Sequence, residues 1–178
     1  MYKDLKGKNA LITGAGKQAG IGYAVATKLA ACGVNVALAD LATAEKNDPL
    51  LTSNKAQLTR LTQTLGETCK VRTLALDLDV TRSESVQNMA AVLAEEFNDI
   101  HILFNNAGTV FGVPNTIHAY DDNAWMKTID VNLHGVFRVS KAVVPLMLEN
   151  GGSIINAASQ AAKKPPLFNG AYAAAKAG

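Results

Sequence analysis

Short apolar runs alternate with longer segments of helical periodicity from one end of the chain to the other. Each run is short enough to be one strand, and each intervening segment is long enough to hold a helix. Parallel strands joined by helices form an open sheet with helices on both faces, so we expect an α/β fold with a doubly wound parallel sheet. The predicted strands occupy residues 9–13, 34–40, 71–76, 102–104 and 153–157.

The helical segments carry the expected start signals and apolar faces. We expect a first helix over about residues 20–32 to bury Ile21, Val25 and Leu29, and Ser83 to cap a later helix. The apolar face of that later helix is Val86, Met89, Ala90, Leu93 and Phe97. Other helices are predicted within residues 53–68, in one or two pieces over residues 122–149, and from about residue 169 or 170. Residues 41–54, which include Pro49, predict a surface insertion.

Composition and charge narrow the range of partners. With 48% hydrophobic and 18% charged residues, the 178-residue chain can bury a core as one domain. The net charge of +2 is the difference between 17 basic and 15 acidic residues, so we expect neither nucleic acid nor membrane as a partner. Cys32 and Cys69 have no paired spacing, no metal motif is present, and no apolar stretch suits a signal peptide or a membrane span. These features predict a soluble, cytoplasmic protein.

A glycine-rich segment, TGAGKQAGIG over residues 13–22, joins the first predicted strand to the first predicted helix. Pyrophosphate binds well at such a junction, because N–H groups and the positive end of the helix dipole face the anion. A glycine-rich turn without a ligand is the alternative. A phosphate-loop ATPase is disfavoured because Gln18, rather than Ser or Thr, follows Lys17. The candidate dinucleotide contacts are Thr13, Gly14, Gly16, Gly20, Ile21 and Gly22.

Asp40 ends the second predicted strand, where a carboxylate can accept hydrogen bonds from adenosine ribose hydroxyls and repel a 2′-phosphate. This position favours NAD over NADP. Lys17 pulls the other way, since an ammonium in the loop could meet a 2′-phosphate. The alternatives are an Asp40 that only caps a loop and a Lys17 that is only solvated.

Together with the glycine segment, four further motifs make the chain resemble the short-chain dehydrogenase/reductase family over essentially all of its length. They are Asp79-Val80, Asn105-Asn106-Ala107-Gly108, Asn132 within Val131-Asn132-Leu133, and Ser159 followed by Tyr172 and Lys176. The resemblance implies one Rossmann domain over residues 1–178, adenine near Asp79 and Val80, and Asn106, Ala107 and Gly108 at the dinucleotide. It also implies a homo-oligomer for the full-length form. One departure is that five residues separate Gly14 from Gly20, where the family usually has three.

The resemblance implies catalytic roles for Asn132, Ser159, Tyr172 and Lys176, and the side-chain chemistry agrees. A free phenol, with a pKa of about 10, is scarcely ionised at pH 7 and needs a cationic neighbour to exchange a proton with substrate. Lys176 lies one helical turn from Tyr172 and, by the resemblance, both also contact the nicotinamide ribose. Ser159 would bind the oxygen of a small carbonyl or alcohol substrate, and Asn132 would support a proton relay. Singly, each residue could instead be structural.

Two other functions stay open, a dinucleotide-binding sensor and an inactive fragment. Relatives of this family continue beyond the position of Gly178, so the resemblance implies a sheet that is incomplete at its carboxyl-terminal edge. We therefore expect the 178-residue chain by itself to be catalytically incompetent and poorly soluble. The last helix should fray, and strand 153–157 should be an unpaired edge.

Overall fold

Five parallel strands form one sheet in the computed structural model, which describes residues 3–42 and 54–178. The spatial order β3-β2-β1-β4-β5 reverses direction at β1, so neighbouring connections diverge there and open a crevice at the carboxyl ends of β1 and β4. This confirms the predicted doubly wound sheet of the Rossmann type. The strands are β1 (Asn9–Thr13), β2 (Asn35–Asp40), β3 (Thr73–Asp77), β4 (Ile102–Asn105) and β5 (Ser153–Asn156).

Helices cover both faces of the sheet in the described part of the chain. They are α1 (Ile21–Ala31), α2 (Lys55–Cys69), α3 (Ser83–Phe97), α4 (Asp122–Ile129), α5 (Gly135–Val143) and α6 (Gly170–Ala177). The segment predicted as one or two helices is α4 and α5 joined by a π-helical turn, Asp130–His134. The π turn matters because such turns interrupt the helical ladder and often occur at functional sites.

The core lies in two layers because successive residues of each strand point to opposite faces. On β1, Leu11 faces one layer, while Ala10 and Ile12 face the other. The first layer includes the buried face of α3, of which Val86, Met89, Leu93 and Phe97 are buried as expected. The second packs the small residues of α1 against the sheet and the leucines of α2.

Two local expectations are wrong. Ile21 is 70% exposed rather than buried, because it stands in the first turn of α1 beside the crevice; the buried residues of that helix are Gly22, Ala26 and Ala30, with Val25 and Leu29 half-buried. Ser83 does not cap α3 but is its first residue, and Arg82 holds the cap position without a side-chain hydrogen bond.

Element ends differ from expectation by one or two residues at most of the other strands and helices. Strand β3 begins at Thr73 instead of residue 71, and β5 ends at Asn156. Asn54 caps α2, since its side-chain oxygen accepts a hydrogen bond from the Gln57 N–H. Most of the expected insertion, residues 43–53, lies outside the described residues. Among those described, β5 is an edge of the sheet, and Ile154 and Ile155 are each 43% exposed.

Candidate active site at the carboxyl edge of the sheet

The glycine segment turns tightly from β1 into α1, and two of its glycines have no room for a side chain. Gly14 has a φ of +66°, and a Cβ there would lie 2.8 Å from the Cα of Ala107. A Cβ on Gly22 would lie 2.6 Å from the carbonyl oxygen of Gly14. The longer spacing between Gly14 and Gly20 is taken up by a turn that the Gly20 N–H closes on the Lys17 carbonyl, at 2.8 Å.

The loop after β4 holds this turn in place through four hydrogen bonds. The Asn106 amide donates hydrogen bonds to the carbonyl groups of Thr13 and Gly14, at 3.0 and 2.9 Å. In return, the Thr13 hydroxyl accepts the N–H groups of Asn106 and Ala107, both at 3.0 Å. The Thr13 and Asn106 side chains therefore shape the crevice by holding the backbone. The glycine segment keeps its conformation because the Asn105–Gly108 motif is hydrogen-bonded to it.

A cleft of about 230 Å³ opens above these residues at the point where the strand order reverses. Its lining contains nine of the residues expected at a dinucleotide: Gly14, Gly20, Ile21, Asp40, Asp79, Val80, Asn106, Ala107 and Gly108. Lys17 also lines it. Sequence reasoning missed five lining residues: Ala39, Leu41, Leu78, Thr109 and Val131. Each is a neighbour in sequence of a residue that was named, and this adjacency is the signal that could have found them.

Asp40 and Asp79 are the two acidic residues that line this cleft within the described part of the chain. Asp40 is 9% exposed, and its carboxylate accepts hydrogen bonds from the N–H groups of Gly16 at 2.6 Å and Leu41 at 2.8 Å. Asp40 thus holds the glycine loop as well as facing the cleft. The Asp79 carboxylate accepts from the backbone and the hydroxyl of Thr81, which fixes the turn that presents Val80.

Asn132 lies in the π turn and is 3% exposed. Its amide nitrogen donates to the carbonyl groups of Thr109 at 2.5 Å and Thr128 at 2.9 Å. Among the residues that the structure describes, its oxygen is buried without a hydrogen-bond partner. A buried acceptor without a partner is costly, so this oxygen is suited to accept a hydrogen bond from a bound polar group.

Tyr172 and Lys176 are one turn apart on α6, as predicted, and the Lys176 Nζ lies 5.7 Å from the centre of the Tyr172 ring. The Lys176 ammonium donates a hydrogen bond to the carbonyl oxygen of Ala157 at 2.8 Å, which ties α6 to the end of β5. Burial lowers the pKa of Lys176 from its ordinary value. A half-buried ammonium with one hydrogen-bond acceptor among the described residues is suited to hold further polar partners.

Gly108 lies between the cleft and two of the predicted catalytic residues. A Cβ on Gly108 would lie 2.7 Å from the Asn132 Oδ1 and 3.6 Å from the Lys176 Nζ. Gly108 lines the cleft as well. The structure therefore brings the buried Asn132 amide, the half-buried Lys176 ammonium and the cleft to one place.

Ser159 begins the turn that follows β5, and α6 packs against that turn. Its hydroxyl accepts a hydrogen bond from the Ala161 N–H at 3.1 Å, which leaves the hydroxyl proton for another acceptor. Gly16 and Gly22 support the loop without lining the cleft, and Asn132, Ser159, Tyr172 and Lys176 stand outside its lining. The two groups of predicted residues thus occupy adjoining regions at one edge of the sheet.

A family model for short chain dehydrogenase matches residues 8–178. The chain belongs to this family. It is 36% identical over 176 residues to the 2,3-dihydro-2,3-dihydroxybenzoate dehydrogenase of Bacillus subtilis, with 98% of this chain and 61% of that protein covered.

Two solved structures of similar proteins have the same architecture. The carveol dehydrogenase of Mycobacterium avium in complex with NAD superposes with a TM-score of 0.87 at 31% identity, covering 97% of this chain and 62% of that one. The L-sorbose reductase of Gluconobacter frateurii, complexed with NADPH and L-sorbose, superposes with a TM-score of 0.83 at 29% identity, covering 97% and 60%. The chain thus spans about three fifths of the length of these family members.

Proposed function

We propose that the protein transfers a hydride between a nicotinamide dinucleotide and a small carbonyl compound or secondary alcohol, with Tyr172 as the general acid and base. The observation that carries this proposal is the meeting of the Asn132 oxygen and the Lys176 ammonium around Gly108, at the end of the cleft. A protein that only binds a dinucleotide has no need of a half-buried cation 5.7 Å from the centre of a tyrosine ring. Membership of the family supports the same reaction class.

The residues present fit a dinucleotide. The glycine loop offers the amino terminus of α1 to a pyrophosphate, because α1 has no acidic residue in its first turn and no side chain caps it. Val80 and Ile21 supply apolar surface beside Asp79, where an adenine ring would lie. The orphaned Asn132 oxygen and the Lys176 ammonium provide polar groups at the opposite end, next to the nicotinamide ribose. The nicotinamide ring supplies the hydride.

In this proposal Tyr172 donates and accepts the proton. In reduction its hydroxyl donates a proton to the substrate oxygen, and in oxidation the phenolate takes the proton back. The ammonium of Lys176 stabilises the phenolate by its positive charge. Because burial lowers the pKa of Lys176, this ammonium releases a proton more readily than a solvated lysine does, which suits a relay past the Asn132 oxygen to solvent. Ser159 donates its free hydroxyl proton to the substrate oxygen.

Asp40 makes NAD the preferred coenzyme in this proposal. Its carboxylate accepts the N–H groups of Gly16 and Leu41, it lines the cleft, and it would carry its negative charge to the adenosine ribose. A 2′-phosphate would meet this negative charge at close range. Lys17 lines the same cleft and partly offsets the repulsion, so NADP is disfavoured and not excluded.

The proposal also covers the substrate, the oligomeric state and the compartment. The substrate is a small molecule, the full-length protein is a homo-oligomer, and the compartment is the cytoplasm, which agrees with the two unpaired cysteines. Within the described residues no helix is long and apolar enough to cross a membrane.

Absorbance at 340 nm tests the reaction class directly. The full-length protein is incubated with NAD and a panel of secondary alcohols, and with NADH and the corresponding ketones. We expect at least one pair to give reversible formation and loss of NADH. Saturable NAD binding without turnover on any pair would instead indicate a dinucleotide-binding sensor.

A further inference from the structure

Arg138 on α5 joins two segments that are far apart in sequence. Its Nη1 donates to the carbonyl oxygen of Val80 at 3.3 Å, and its Nη2 donates to the Asp130 carboxylate at 2.7 Å. The same Asp130 oxygen lies 3.2 Å from the His134 Nδ1. Val80 belongs to the turn after β3, and Asp130 opens the π turn.

Both segments that Arg138 joins are walls of the cleft. Val80 lines the cleft, and so does Val131, the residue after Asp130. Asn132 follows immediately in the π turn. The two walls pack closely, since a Cβ on Gly135 would lie 2.7 Å from the Val80 Cγ2. The width of the cleft at this point and the position of Asn132 therefore depend on one small set of contacts.

The chemistry of the contact suits positioning better than stabilisation. The Arg138 and Asp130 side chains are 25% and 31% exposed, and ion pairs at such partly solvated places add little to the free energy of unfolding. A guanidinium, however, holds its donors in one rigid plane and can fix two acceptors at a set separation, which the single ammonium of a lysine cannot do.

We propose that Arg138 is a positioning residue of the coenzyme site, which holds the Val80 wall against the π turn that carries Val131 and Asn132. The proposal rests on the proposed function only for the identity of the ligand, a nicotinamide dinucleotide. Arg138 itself does not line the cleft. It acts through the carbonyl of Val80 and the carboxylate of Asp130.

The test compares Arg138→Gln with Lys141→Gln in the full-length protein. Lys141 is a matched control, because it is also a cation on α5, it is exposed, and its ammonium lies over the Phe137 ring 5.9 Å away rather than at the cleft. Titration calorimetry gives the Kd for NAD, and thermal melting gives the Tm. We expect Arg138→Gln to raise the Kd about tenfold with a Tm within a few degrees of wild type, and Lys141→Gln to change neither.

Two further variants keep the test decisive. Arg138→Lys retains the charge but reaches only one acceptor, so it should recover part of the lost affinity. Asp130→Asn removes the ion pair from the other side, and combining it with Arg138→Gln should add nothing further to the Kd, because both act through one contact.

Several results would overturn the positioning role. These are an Arg138→Gln protein that binds NAD within twofold of wild type, an equal loss in Lys141→Gln, or additive losses in the double variant. Arg138 would have a role in stability instead if Arg138→Gln lowered the Tm and Asp130→Asn left the Kd for NAD unchanged. A wild-type protein that binds no nicotinamide dinucleotide would overturn the proposed function and this role together; wild-type binding with unaffected variants would overturn this role alone.

Discussion

The carboxylate of Asp40 accepts the N–H groups of Gly16 and Leu41 while it faces the cleft, so its charge and its hydrogen bonds have separate consequences. Sequence reasoning treated coenzyme choice and loop capping as alternatives for this residue. The structure contains the capping contact, and the same carboxylate lines the cleft, where the proposed ribose contact would be made. A substitution that separates the two roles is therefore informative.

Asp40→Asn keeps an acceptor for the Gly16 N–H but removes the negative charge, whereas Asp40→Ala removes both. We predict that kcat/KM with NAD exceeds that with NADP in the wild-type protein, and that Asp40→Asn reduces this preference about tenfold or more. Asp40→Ala should also weaken both coenzymes, because the loop loses its anchor. Equal kcat/KM values for the two coenzymes in the wild-type protein would contradict this assignment.

Lys176, proposed to take part in catalysis, also affects stability through its pKa, which burial lowers from the ordinary value of 10.5. Between the lowered pKa and 10.5 the unfolded chain binds more protons at this lysine than the folded chain does. The free energy of unfolding contributed by Lys176 therefore rises with pH across that window, and the cost of the buried ammonium is fully present below it.

We predict that the free energy of unfolding of the wild-type protein, minus that of Lys176→Met, increases as pH rises from 7 to about 10. Urea titrations of both proteins at several pH values measure it, and subtracting the variant removes the contribution of every other titrating group. A difference that is flat with pH, or that falls, would mean that burial does not control this lysine.

At the scale of elements, the junction of β1 with α1 works only together with the loop after β4. Four hydrogen bonds link Asn106 and Ala107 to Thr13 and Gly14. Gly14 and Gly22 let the backbones approach. The cleft is thus a property of two neighbouring parallel strands, and neither motif forms it alone.

Gly22→Ala should disrupt this junction, because the new Cβ would lie 2.6 Å from the Gly14 carbonyl oxygen, closer than packed atoms approach. We predict at least a tenfold rise in the Kd for NAD, measured by titration. Gly170→Ala is the control, since a Cβ there would meet its nearest neighbour, the Ile117 Cδ1, at 3.5 Å. Similar affinities in the two variants would show that the close approach is unimportant for binding.

The strands and most helices could be predicted because their signals are local: apolar runs of strand length and apolar positions at helical spacing. The errors fell where local signals compete. Ser83 looks like a cap by its type, but the turn that Asp79 and Thr81 hold brings Arg82 to that position. Ile21 looks like a core residue, but its place beside the cleft leaves it 70% exposed. The turn before α3 and the cleft beside α1 are not apparent from the sequences of these two helices.

At the scale of the whole molecule, the order of motifs predicted which edge of the sheet carries function, because parallel strands end on the same side. The contacts between distant segments could not be predicted. No local pattern indicates that the Lys176 ammonium bonds the Ala157 carbonyl, that the Asn132 oxygen lacks a partner, or that both lie around Gly108. These contacts depend on how the π turn and α6 pack together.

The central claim is that Tyr172 exchanges the proton in a hydride transfer, and Tyr172→Phe in the full-length protein tests it most directly. The substitution removes one hydroxyl oxygen and keeps the ring that packs beside Lys176, so the Kd for NAD should stay within about twofold of wild type while turnover at 340 nm is abolished. Tyr23→Phe, on α1 and half-buried in the core, should keep wild-type turnover. Retention by Tyr172→Phe of more than about a tenth of the wild-type rate would contradict the account, because removing a general acid costs a factor of 10² to 10⁴.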